Sequence, residues 1–136
     1  MSILVLLSPE RMARQRVIKS VKSVKSVKSV KSERFEDIIA WQKAEEMAIL
    51  VYKTFEEIRD FGFRDQIQRA SVSVMNNIAE GFERRTDNEF RQGLYIAKGS
   101  CAEVRSMLHL AFELGIGESE EISKIISGLI KTLRIS

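Results

Sequence analysis

The sequence predicts an all-α protein, an antiparallel up-down-up-down four-helix bundle carrying a basic N-terminal tail. Three observations carry that expectation. From Phe35 onward apolar residues recur at three- and four-residue steps, the chain's single proline lies outside this patterned region, and glycine-containing breaks divide the pattern into four segments of helical length. An apolar content of 44% over 136 residues supports one core, built on roughly 100 residues.

The first helix is expected from Glu36 to Arg59, with Trp41, Ala44, Ala48, Val51, Tyr52, Phe55 and Ile58 as its apolar stripe. Asp60-Phe61-Gly62 interrupts the pattern, and Gly62 is able to take the left-handed conformation that closes a helix. A second helix follows from about Phe63 to Gly81, burying Phe63, Ile67, Ala70, Val74 and Ile78, with Gly81 as its stop. Such a short connection returns the chain antiparallel.

Thr86-Asp87-Asn88-Glu89 has the spacing of a capping box and opens a third helix that runs to about Leu114. Phe90, Leu94, Ala97, Cys101, Val104, Leu108 and Ala111 alternate along it at four and three, the seam of a left-handed bundle. Gly115 and Gly117 end it. The fourth helix has Ser119 as a candidate cap, Glu118, Glu120 and Glu121 at its positive dipole end, and Ile122, Ile125, Ile126, Leu129 and Leu133 as its buried face.

Residues 1–33 read differently from residues 34–136, the bundle domain. The tail holds Ile18-Lys19-Ser20 and four copies of Val-Lys-Ser, a period of three that turns a helix by about 300° per repeat and lets the valines drift around the axis. A disordered cationic tail is the expectation, with a transient helix or a phosphate-contacting arm as alternatives. Its eight Lys/Arg against two Glu account for more than the whole net charge of +3; residues 34–136 hold 14 basic and 17 acidic residues, a net of −3. Any nucleic-acid contact must then rest on where the charges sit.

The run Ile3–Leu7 falls far short of the roughly 20 apolar residues that span a bilayer, so no membrane segment is expected and a cytoplasmic location is the default. Cys101 is the single cysteine and His109 the single histidine, which excludes an intrachain disulfide and a cysteine-rich zinc site. Cys101 lies on the apolar seam, where a thiol behaves as a small hydrophobe. Gly99 is expected to permit close helix approach.

Two constellations remain. Asn77 and Glu80 on the second helix, and Ser100 and Glu103 on the third, are each three apart and so share a helix face. They are expected to meet as a buried polar network that fixes helix register rather than as a catalytic or metal site, since carboxylate-bridged metal bundles use Glu-x-x-His and His109 follows Glu103 by six. No cofactor is expected. The second constellation is basic: Arg84 and Arg85 precede the third helix, and Arg91, Lys98 and Arg105 follow at steps of seven on one face. Long cations about 10.5 Å apart along a helix axis are able to track a phosphate backbone. A solvated face, or pairing with Glu45, Glu46, Glu56 or Glu57, is the plainer alternative.

Phe35-Glu36-Asp37-Ile38 with Trp41-Gln42-Lys43-Ala44, then Asp65-Gln66-Ile67-Gln68-Arg69-Ala70, Asn77-Ile78-Ala79-Glu80-Gly81 and Tyr95-Ile96-Ala97-Lys98-Gly99-Ser100, resemble the four-helix bundle family of 23S rRNA intervening-sequence proteins. The resemblance covers Phe35 to the C-terminus. It implies a small bacterial bundle, homopentameric, often encoded within insertions in 23S rRNA genes. The accessory protein of diversity-generating retroelements looks similar in fold and is a basic pentamer that binds nucleic acid and a reverse transcriptase. Where the family commonly has Pro-Ser before the Asn-Ile-Ala-Glu-Gly motif, this chain has Met75-Asn76, which leaves the second helix straighter there.

The expected function is therefore a non-enzymatic oligomer that contacts RNA or DNA backbone through Arg84, Arg85, Arg91, Lys98 and Arg105. Self-association is also expected from apolar residues off the seams: Tyr95, Ile96, Met107 and Phe112 on the third helix, and Ile39, Met47 and Leu50 on the first. The alternative is a scaffold that docks a protein partner such as a polymerase.

Overall fold

The computed structural model describes residues 33–134, with side chains described through Lys131. The Val-Lys-Ser tail lies outside the described residues, and the side chain of the seam position Leu133 lies outside the described side chains. Four α-helices follow a single 3₁₀ turn at Phe35–Asp37: α1, Ile39–Phe55; α2, Phe61–Glu83; α3, Asp87–Leu114; and α4, Ser119–Arg134. The described residues contain no strand, and none of their helices is long and apolar enough to cross a membrane.

The expected first helix is shorter at both ends. Ile38 takes an extended conformation (φ −83°, ψ 123°) that separates the 3₁₀ turn from α1, and its side chain is fully buried in the core. Burying that isoleucine requires the chain to leave helical geometry, and the loose end is held from α1, where Gln42 Nε2 donates to the carbonyl of Glu36 at 2.8 Å. At the other end α1 stops at Phe55, and Asp60 caps α2 by accepting from the Phe63 amide at 3.0 Å. Gly62 thus sits in the first turn of α2 and does not close α1, a correction that follows from Asp60 being the better N-cap.

Gly81 is likewise not a stop. α2 continues through it to Glu83 and runs unbroken past Met75-Asn76, where every residue retains its amide donor. The capping box of α3 is as expected: Thr86 Oγ1 accepts from the Glu89 amide at 3.2 Å, and the Glu89 carboxylate accepts from the Thr86 amide at 3.1 Å. Gly115 ends α3 in the left-handed region at φ 67°.

The core unites Val51 and Phe55 of α1, Ile67 and Ile78 of α2, Phe90, Val104 and Leu108 of α3, and Ile122 of α4. Contact is most extensive between α2 and α3, while α4 packs on both α3 and α1. Across α2 and α3, Gly81 meets Gly93, Ser73 meets Ser100, and Gln66 meets Glu103, so residue numbers fall on one helix as they rise on the other and the pair is antiparallel. A Cβ on Gly93 would lie 2.6 Å from the Asn77 carbonyl oxygen and 2.9 Å from the Gly81 Cα. Two glycines facing each other let these backbones touch. Gly99, expected in that role, is exposed with open space around it.

Candidate nucleic-acid interface

The polar network that links α2 and α3 is smaller and differently composed than expected. Asn77 Nδ2 donates to the Ser73 carbonyl at 2.7 Å and to Ser73 Oγ at 3.0 Å, and Ser73 Oγ meets Ser100 Oγ at 2.9 Å. Ser73 is the missing member; standing four residues before Asn77, it shares its helix face, and that spacing was the available signal. Glu80 and Glu103 are exposed and stand apart from this chain of bonds. Glu103 instead accepts from Gln66 Nε2 at 3.4 Å at the surface. A carboxylate left in water keeps its hydration, which a buried one loses.

Cys101 packs in the core beside this network, and burial pushes its thiol up to about 11. His109 is exposed. Among the described residues, no three metal-ligating side chains converge.

The basic row occupies the surface. Arg84 and Arg85 are exposed in the link that precedes α3, Arg91 and Lys98 are exposed on α3, and Arg105 is half-buried farther along it. The capping box sets where α3 begins, and helical geometry then places Arg91, Lys98 and Arg105 along one face over roughly 21 Å. Among the described residues, none of the five forms an ion pair: Glu46 is held by Lys43, Glu120 and Glu121 by Lys124, Glu36 by Arg34 and Asp65 by Arg64. Pairing with the α1 carboxylates is thus not realised among the described residues.

Beside it lies a shallow depression of about 450 Å³, lined by Asn88, Arg91, Gln92, Tyr95 and Ile96. The apolar residues expected off the seams divide. Met47 belongs to the core, and Ile39 and Met107 are half-buried; Leu50, Tyr95, Ile96 and Phe112 are exposed, as are Ile49, Tyr52, Leu110 and Leu114.

Residues 36–135 match the family described as 23S rRNA-intervening sequence protein. A crystal structure from Bacteroides thetaiotaomicron, described as a protein with unknown function from the S23 ribosomal protein family, superposes with a TM-score of 0.66 at 21% identity, over 71% of this chain and 93% of the other. That likeness establishes the shared helical fold. No curated protein matches this chain.

Proposed function

The chain belongs to the family of 23S rRNA-intervening sequence proteins, and from that premise we propose that it is a non-enzymatic, cytoplasmic bundle of up-down-up-down topology that assembles with copies of itself and binds the backbone of RNA or DNA. The observation that carries this reading is the row Arg84, Arg85, Arg91, Lys98 and Arg105, unpaired on a domain whose net charge is −3. Acidic residues elsewhere on such a domain disfavour nucleic acid, so a face of α3 carrying Arg91, Lys98 and Arg105, with Arg84 and Arg85 in the link before it and no ion pair to any of them among the described residues, is where a backbone phosphate would be met. Backbone contact by cations gives affinity with little sequence preference.

Self-association has separate support in the exposed apolar side chains Ile49, Leu50 and Tyr52 of α1 and Leu110, Phe112 and Leu114 of α3. A closed ring, the pentamer that the family resemblance implies, would repeat the cation row around its circumference. The same apolar residues favour a second reading, a scaffold that docks a protein partner such as a polymerase without touching nucleic acid.

Affinity for a structured rRNA fragment, measured from low to moderate salt, tests the first reading. Removing one cation that neutralises a phosphate should reduce the slope of log K against log salt by about 1, so Arg91→Glu with Lys98→Glu should flatten the dependence by about 2 and weaken binding throughout. Absence of binding at low salt, or a double variant indistinguishable from the parent, would refute it. A co-purifying protein that survives nuclease treatment would favour the scaffold.

A further inference from the structure

We propose that the depression around Tyr95 holds an unpaired nucleobase, so that this protein recognises single-stranded nucleic acid in preference to duplex. The proposal rests on the nucleic-acid reading above and adds which form of the polymer is bound.

Among the described residues Tyr95 is the most exposed of the large apolar side chains, at 68% of its full accessibility. It follows Arg91 by four residues and precedes Lys98 by three, so the three lie on one face of α3. Along the helix axis the backbone position of Tyr95 lies about 6 Å from that of Arg91 and about 4.5 Å from that of Lys98. Arg91 itself lines the depression together with Asn88 and Gln92, whose side chains end in amides. The surface therefore offers a ring face for stacking, two cations without carboxylate partners for the flanking phosphates, and two amides that both donate and accept for a base edge.

Duplex nucleic acid keeps its base faces inside the stack and cannot use the ring, whereas a single strand presents both base and phosphate together. A protein partner is less well matched here. Among the described residues Ile96 is the only aliphatic one lining the depression, and the apolar group Leu110, Phe112 and Leu114 begins about 22 Å farther along α3.

The test uses the full chain and fluorescently labelled 20-nucleotide single strands, RNA and DNA, beside a blunt-ended, two-strand duplex of matched length. Tyr95→Ala should weaken single-strand binding by about 5- to 150-fold, the range expected for losing one stacked base, and leave duplex affinity and salt slope unchanged. Tyr95→Phe, which keeps the ring face, should bind as the parent does. Equal loss on strand and duplex, or no loss on either, would overturn the proposal while leaving backbone binding standing. A parent that binds none of the probes at low salt would overturn both. Because Tyr95 is exposed, folding should be unaffected; a Tyr95→Ala particle whose mass by light scattering differs from that of the parent would place the residue in a subunit contact and overturn the proposal.

Discussion

Replacing Gly93 by alanine should destabilise the bundle, although the same change in an exposed stretch of the same helix should stabilise it. The new methyl carbon would sit 2.6 Å from the carbonyl oxygen of Asn77 and 2.9 Å from the Cα of Gly81, both backbone atoms with no rotamer to yield. Restoring an ordinary contact requires α2 and α3 to part by most of an ångström, and these helices share the most extensive contact in the fold. A gap of 0.5–1 Å forfeits a quarter to a half of each dispersion contact, and overpacking of this kind costs about 3 kcal/mol at its upper range. Alanine's helix propensity returns about 1 kcal/mol, for a net loss of roughly 2 kcal/mol. In a domain of this size that lowers Tm by about 8–16 °C. Gly99, with nothing within 4 Å of its would-be Cβ, should return only the propensity gain and raise Tm by about 4–8 °C. Thermal melts followed by helical circular dichroism, at one protein concentration so that any assembly contributes equally, decide the matter. A Gly93→Ala protein melting at or above the parent, or a Gly99→Ala protein melting below it, would refute the close-crossing argument.

Asn77→Ala should cost about 1 kcal/mol in urea unfolding, because it strips two bonds from Ser73 at the α2–α3 junction, whereas Glu80→Ala should change stability by less than about 0.5 kcal/mol. Thr86→Ala removes the acceptor that begins α3 and should lower stability by about 1 kcal/mol in the same assay. Cys101 gives a pH signature. Its folded thiol titrates at about 11 against an ordinary value of 9.0, so the unfolded chain releases its proton first and stability should fall as pH rises from about 9 to about 11, by up to roughly 2 kcal/mol relative to a Cys101→Ala reference. In the native protein at pH 8 that thiol should react with a disulfide reagent far more slowly than in urea; equal rates would show it to be accessible.

Periodicity and capping chemistry, both local, already determined the four described helices, most of their seams, the Thr86 start of α3 and the Gly115 end, while Tyr52, expected in the first stripe, is exposed and Ile58 lies beyond α1. These signals survive because each needs only residues within a turn or two of one another, as the seam from Phe90 through Val104 to Ala111 illustrates, buried except at Leu94, which is half-buried against the core. The cation row was legible for the same reason: seven-residue spacing holds a face whatever the helix packs against.

The glycines and carboxylates were decided elsewhere. In a single chain read as text, Gly81 is a plausible helix stop and Gly99 a plausible contact point, and only the crossing of α2 over α3 makes Gly81 and Gly93 the pair whose backbones touch. The rotation of each helix about its own axis sends Ser73 inward to bridge Asn77 and Ser100 and turns Glu80 and Glu103 outward to water. That rotation is set by how two surfaces interlock, a property of both helices at once, so no spacing along one of them contains it.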